Sequence, residues 1–315
     1  MANLLITGAS GFIGSHLAKY AHTQGSEVHG TYLTNYFVRV PGCNYYRIEI
    51  QKESQVRALV TRLKPSIVIH IAGTKDIDFC SKYPEQAYQI HAQGTLNVVQ
   101  ACQGICSRLV YISTDCVFDG TKALFSEDDF TNPFNRYGEV KYEAERISME
   151  SDLNTIVLRT SLLFGWVMPK QSSNTVMDVL YKLTNQIPVK MPAILYNTPL
   201  YVGDAVEAIY EVALSDLTGI FHLAGADRIS RYDLAIRTAN EFGLDQSLIS
   251  PTQNITGLRP TNSCLSTSKL EKAIGKSFSG VVEGLQAMRL QVNALSTDCL
   301  TKEIEHEVGA FSRRL

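Results

Sequence analysis

Apolar residues in this chain fall into short runs that alternate with stretches of helical spacing, and the alternation predicts the fold. Asn3–Thr7 is a short apolar run of the length of a buried parallel strand. From Phe12 the pattern turns helical, with Ile13, Leu17, Ala18 and Ala21 in step. Glu27–Tyr32 reads as a second strand and Asn44–Ile50 as a third. Ser54–Lys64 sets Val56, Leu59, Val60 and Leu63 on one helical face, and Pro65 ends it. Ser66–Ile71 is a buried strand, and Pro84–Cys106 predicts one long helix. Arg108–Ser113 and Asn154–Thr160 are a fifth and a sixth strand, with a helix opening near Tyr137 between them. Such alternation predicts an α/β, Rossmann-type, doubly wound parallel sheet.

After Thr160 the texture changes. Residues 161–200 are proline-rich and less periodic. Ser172–Ile187, Val202–Leu214, Ser230–Phe242 and Ser266–Ile274 read as helices, Gly219–Leu223 as a strand that rejoins the sheet, and 243–265 as loop. The predicted organisation is a dinucleotide-binding domain over 1–160, rejoined by about 200–225 and 281–293. A small C-terminal substrate lobe takes 161–199 and 226–280, and a charged peripheral tail runs from 294 to 315.

Charge and cysteine usage narrow the class. A formal net charge of −2 gives no global attraction to nucleic acid or to an anionic membrane. No apolar run is long enough to span a bilayer, and Leu4–Ile6 is too short for a signal peptide. The seven cysteines, at 43, 80, 102, 106, 116, 264 and 299, form no metal-ligand pair, and the seven histidines never group, so no metal is expected. Cys102 and Cys106 share a helix face in apolar surroundings and read as buried free thiols, which suits a reducing, cytoplasmic setting.

The candidate chemistry begins at the first strand–helix junction. Gly8, Gly11 and Gly14 stand three apart there, with Ser10, Phe12 and Ile13 between them. A turn without Cβ atoms lets backbone N–H groups and a helix N-terminus approach a pyrophosphate. A carboxylate for an adenosine ribose is missing from Gly30–Asn35, which includes Thr31, while Arg39 stands where a 2′-phosphate would be met. This favours NADP, with NAD as the alternative. Glu49 and Ile50 leave the third strand where an adenine is flanked. Ala72, Gly73 and Thr74 leave the fourth, where small residues admit a ribose or nicotinamide. The fifth strand ends in Ser113-Thr114-Asp115. Tyr137 and Lys141 share a helix face four residues apart. An ammonium beside a phenol favours the phenolate, so Tyr137 is expected to exchange a proton with a substrate oxygen that Thr114 also bonds. His91 reads as a structural histidine.

These segments, Ile6–Gly14, Tyr111–Gly120, Asn132–Lys141, Leu158–Ser161, Gly219–Gly225 and Leu258–Lys269, resemble an extended short-chain dehydrogenase/reductase. Within it the chain is most similar to the dTDP-4-dehydrorhamnose reductase branch. The resemblance implies Thr114, Tyr137 and Lys141 as a catalytic triad, with Thr160 added to the cofactor set. It implies hydride transfer between NAD(P)H and C4 of a nucleotide-linked 4-keto-6-deoxysugar. Thr74, Asp115, Cys116, Leu162 and Arg259 are the implied substrate-side residues, and a homodimer is one possible assembly.

The chain departs from that pattern at informative places. Cys116 stands where the branch has tyrosine, Leu162 where it has an aromatic residue, and the Asp-Gln before its Pro element is replaced within Leu195–Leu200. No counterpart of an acidic metal-binding cluster is found. Smaller residues reshape a sugar pocket. Two other readings stay open. One is an epimerase or dehydratase, though Asp115-Cys116 lacks the Asp-Glu pair of dehydratases. The other is a non-catalytic cofactor-binding subunit, such as the methionine adenosyltransferase beta subunit.

Overall fold

The computed structural model describes residues 1–34, 38–105, 107–168, 170–255 and 258–295, leaving aside the side chains of 292–295. The strands β1 (Asn3–Thr7), β2 (Glu27–Tyr32), β3 (Asn44–Arg47), β4 (Ile67–His70), β5 (Arg108–Thr114) and β6 (Thr155–Thr160) form one sheet with Gly219–Leu223. Its order is Gly219–Leu223, β6, β5, β4, β1, β2, β3. Every pairing in it is parallel. The chain runs outward from β1 in one direction, then crosses to β4 and runs outward in the other. That reversal opens a crevice at the carboxyl ends of β1 and β4, where ligands lie in folds of this kind.

Period-two alternation explains the two-sided burial. Leu4 and Ile6 of β1 pack with Val28, Ile69, Val110 and Ile156 on one face. Helix α1 (Phe12–Thr23) covers that face with Leu17, Ala18 and Ala21, together with Val202–Leu214. Leu5 points to the other face, against Val56, Leu59 and Val60 of α2 (Glu53–Leu63). After β6, short strands link the second half: Leu163–Phe164 with Leu200–Tyr201, Val189–Pro192 with Ile249–Thr252, and Tyr196–Asn197 antiparallel to Ile229–Ser230. Phe164, Leu234, Val281, Leu285 and Met288 join the same core as α1, so the sheet and the second half share apolar packing.

The sequence reading differs from the structure in several places. The third strand stops at Arg47, so Glu49 and Ile50 lie in the turn beyond it. The long helix expected over 84–106 is interrupted. It comprises α4 (Pro84–Tyr88), a π turn at Gln89–Gln93 and α5 (Gly94–Gln103), following α3 (Ile77–Lys82). Tight packing accompanies the break: a Cβ on Gly94 would lie 2.9 Å from Ile50 Cδ1, and Asn97 Nδ2 donates to the Ile50 carbonyl at 2.8 Å. The helix expected over 172–187 is trimmed to Thr175–Thr184 because Asn174 caps it, its side chain accepting from Met177 N–H. Residues 249–252, taken as loop, pair as a strand because Ile249 has Val189 as a buried partner. Asn35, Cys106, Cys299 and the tail from 296 lie outside the described residues.

Candidate active site

The glycine turn is built as its spacing predicts. Gly8 sits at φ +70°, and a Cβ there would lie 2.8 Å from Ala72 Cα. A Cβ on Gly14 would lie 2.4 Å from the Gly8 carbonyl oxygen. Gly11 caps α1 without a side-chain acceptor, and the helix has no acidic residue in its first turn. Its N–H groups therefore face the crevice with the positive end of the helix dipole. Thr31 serves this turn from β2: its hydroxyl accepts from Gly8 N–H at 3.1 Å, and its carbonyl from Ala9 N–H at 2.8 Å.

A buried chain of hydrogen bonds fixes the neighbouring strand ends. Thr7 Oγ1 accepts from the N–H groups of Ile71 and Ala72, at 3.1 and 3.2 Å. Its hydrogen is left for His70 Nδ1, 2.6 Å away. His70 Nε2 then donates to Thr95 Oγ1 at 3.1 Å, whose hydrogen goes to the His91 carbonyl at 2.6 Å. Burial, first, and the Lys141 ammonium, second, push His70 down to about 3, so it is neutral at physiological pH. Ala72, Gly73 and Thr74 leave β4 from this rigid edge. A Cβ on Gly73 would lie 2.5 Å from His91 Cε1, so a side chain there would have to displace the His91 ring.

Helix α6 (Arg136–Met149) brings the phenol and the ammonium to the crevice. Asn135 caps it, accepting from Gly138 N–H at 2.8 Å. The Tyr137 ring stands edge-on to His91 at 5.7 Å, and the groups that act on its phenol include Cys116, Thr114 and Asp115 at the end of β5. Burial, followed by the Cys116 thiol, holds the phenol well above its ordinary range. This corrects the expectation of a lowered phenol: desolvation prevails here. The Lys141 ammonium donates to the Ile112 carbonyl at 2.6 Å and lies 4.2 Å from the centre of the Tyr111 ring. Burial pushes Lys141 down to about 7, against the pull of Glu145.

Beside Thr114 lies a buried polar cluster. Asp115 accepts from Thr114 Oγ1 at 3.1 Å, Ser263 Oγ at 2.6 Å and Asn197 Nδ2 at 3.4 Å. Arg231 Nε donates to Asn197 Oδ1 at 2.6 Å, and Arg231 also bonds Thr175. Burial, then the charge of Arg259, lowers Arg231 to about 10. Desolvation raises Asp115 above the usual carboxylate range. Cys116 and Leu162 are half-buried, and Arg259 is exposed.

The other predicted residues divide. Ser113 Oγ is buried without a partner among the described residues, and Thr160 Oγ1 donates to the Ser113 carbonyl at 3.1 Å. Ser10 offers its carbonyl to Gln171 Nε2 at 3.1 Å. Phe12 and Ile13 open α1 half-buried. Glu49 pairs with Lys52 at 3.1 Å, and Arg39 is exposed. Sequence reasoning missed Arg231, Asn197 and Ser263, which come from three distant segments. It also missed Gln171 and Lys75, which donate to Ser10 and to the Ser173 carbonyl and so pin residues 171–173 near the glycine turn. No local spacing marks any of them.

The glycine cradle, the uncapped helix start and the unpartnered Ser113 hydroxyl fit a dinucleotide. Comparison with known proteins agrees with this geometry. The chain is 30% identical over 284 residues to methionine adenosyltransferase 2 subunit beta of Xenopus tropicalis, covering 85% of this chain and 81% of the relative. It is 28% identical over 306 residues to dTDP-4-dehydrorhamnose reductase of Aggregatibacter actinomycetemcomitans, covering 92% and 99%. The crystal structure of dTDP-4-dehydrorhamnose reductase from Bacillus anthracis str. Ames in complex with NADP superposes with a TM-score of 0.81 at 25% identity, covering 92% and 99%. With the RmlD substrate binding domain model matching residues 1–293, the chain belongs to that family, a branch of the extended short-chain dehydrogenases/reductases.

Proposed function

We propose that this protein uses a nicotinamide dinucleotide to reduce the keto group of a nucleotide-linked sugar, at C4 of a 6-deoxysugar. One observation carries the reading: the buried phenol of Tyr137 stands at the end of β5 near Thr114, one helical turn from Lys141, in a chain that also carries a glycine cradle. When bound, the reduced nicotinamide supplies a hydride. Gly8, Gly11 and Gly14 admit the diphosphate to the start of α1. Tyr137 gives its proton to the substrate oxygen as charge develops there. Lys141, leaving the Ile112 carbonyl, holds the ribose hydroxyls. Asp115 and Cys116, past the end of β5, and Leu162 and Arg259, from a lobe drawn from 161–199 and 226–280, line the sugar side. Arg39 and the lack of a carboxylate at the end of β2 favour NADPH over NADH.

The test is NADPH and NADH oxidation with a panel of nucleotide-linked keto sugars. Turnover of a 4-keto-6-deoxysugar with NADPH is the expected result. Absence of turnover across the panel, with cofactor binding intact, overturns the proposal. That outcome favours the second reading, a cofactor-binding subunit, which the methionine adenosyltransferase 2 subunit beta relatives support.

A further inference from the structure

The carboxyl edge of the sheet carries a second cation beyond the loop residue Arg39. Strand β3 ends at Arg47, which pairs in register with Tyr32, the last residue of β2. One step back, Thr31 holds the glycine turn through Gly8 N–H and Ala9 N–H, at 3.1 and 2.8 Å. Arg47 therefore stands two strand spacings from β1, about 10 Å along the edge. Side chains alternate along a strand, so Arg47 shares a face with Tyr45. A Cβ on Gly30, the register partner of Tyr45, would lie 2.7 Å from Ala9 Cβ and 2.8 Å from the Tyr45 ring. That face is the one α1 covers. Arg47 Nε donates to the Leu33 carbonyl at 3.2 Å, so the guanidinium lies across the end of β2. We infer that Arg47 selects a 2′-phosphate on the adenosine ribose of the dinucleotide, through the paired donors of its Nη1 and Nη2 groups.

The physical reason is the geometry of one guanidinium. Its Nε is committed to Leu33, which fixes the plane of the fork and leaves the Nη1–Nη2 edge for a ligand. Two parallel N–H groups match two oxygens of a phosphate, and bonds of this kind are about twice as strong as neutral ones. The residue is exposed, and among the described residues it forms no ion pair. The nearest carboxylate along the chain, Glu49, pairs with Lys52 at 3.1 Å. A dinucleotide whose diphosphate meets the start of α1 runs its adenosine along this edge toward the end of β2. There it finds the Arg47 fork and no carboxylate for a bare 2′-hydroxyl, since Gly30–Asn35 has none. Strand pairing sets the position of Arg47, whereas Arg39 lies in the irregular segment 38–40. The inference rests on the dinucleotide part of the proposed function, and it names a strand residue as the selecting group.

The test titrates NADPH and NADH against the full chain by nucleotide fluorescence. The parent should bind NADPH about tenfold or more tighter than NADH, the scale of one charge-assisted fork. Arg47→Met keeps the apolar stem and removes the donors. It should weaken NADPH by about tenfold or more and leave NADH within about twofold, so that the preference disappears. Arg47→Lys keeps the charge without the fork and should fall between parent and Arg47→Met. Arg39→Met should still prefer NADPH. The NADH constant separates selection from a structural role, because a loosened β3 would weaken both nucleotides together. Equal weakening of both in Arg47→Met and in Arg47→Lys overturns the inference, as does an unchanged preference in Arg47→Met. A parent that binds the two alike, or an Arg39→Met variant that loses the preference by itself, also overturns it. The titration needs no sugar substrate, so failure of the keto-sugar panel sinks the reduction reading separately.

Discussion

Lys141 places its ammonium 2.6 Å from the Ile112 carbonyl oxygen, and Ile112 is a buried residue of β5. The bond ties α6 to the strand that ends at Thr114. It also holds the ammonium 4.2 Å from the centre of the Tyr111 ring. The ammonium is thus stored beside the crevice at a desolvation cost, available to a ligand that offers better acceptors.

That cost has a definite pH signature. In the folded chain Lys141 is pushed down to about 7, below the value of a free lysine near 10.4. Between those values the unfolded chain holds a proton that the folded chain lacks, so stability rises with pH across this window and is lost as pH falls toward 7. Lys141→Met removes the contribution. Urea unfolding at pH 7 and pH 9 should show the parent gaining on the variant by on the order of 1–2 kcal/mol at the higher pH. A parent whose stability tracks the variant at both values would show that the ammonium is not desolvated.

Tyr137→Phe keeps the ring against His91 and removes the proton donor. Turnover of the keto sugar should fall by about two to four orders of magnitude, the usual span of general acid catalysis. NADPH affinity, measured by titration of nucleotide fluorescence, should stay within about twofold, because the phenol contributes charge chemistry rather than the diphosphate cradle. Equal rates in parent and variant would end the assignment of Tyr137.

Two glycines with the same sign of φ separate cradle from turn. Gly8, at φ +70°, faces Ala72 so closely that a Cβ would lie 2.8 Å from its Cα. Gly25, at φ +82°, has nothing within 4 Å. Gly25→Ala should cost about 1 kcal/mol, the price of the left-handed backbone alone. Gly8→Ala should cost more than that in urea unfolding and should weaken dinucleotide binding by at least about tenfold. Similar costs for the two variants, with binding intact, would mean that the turn has slack where the contacts indicate none.

The contrast between these residues also explains what the sequence disclosed. Leu4, Leu5 and Ile6 announce a strand buried on both faces, and Gly8–Gly14 announce a turn, because each signal is local and the physics behind it is local. Tyr137 and Lys141 are four apart, so one helix face brings them together without knowledge of the fold. Arg231, Asn197, Ser263 and Asp115 meet only after four segments have packed, so no spacing could reveal them. The π turn at Gln89–Gln93 was invisible for the same reason, since Ile50 and Gly94 come together from different elements. The direction of the Tyr137 shift was misread because burial depends on tertiary packing, whereas the lysine four residues away is plain in the sequence.

Arg159 and Glu145 join β6 to α6 by a forked ion pair, with Arg159 Nη2 to Glu145 Oε2 at 2.8 Å and Nε to Oε1 at 3.0 Å. Both side chains are almost wholly buried, at 3% and 2% exposure. At that depth the desolvation of two charges offsets most of their attraction, so the pair adds little net stability. Removing one partner leaves the other charge buried alone. Glu145→Gln should therefore destabilise the fold by about 3–5 kcal/mol in urea unfolding. Arg159→Met combined with Glu145→Leu should recover most of that loss, because apolar residues of similar volume carry no desolvation penalty. Since α6 also carries Tyr137, the double variant should keep the π-turn contact and the NADPH affinity of the parent. A double variant as unstable as Glu145→Gln would show that the pair's hydrogen bonds, rather than the cost of an orphaned charge, hold α6 on the sheet.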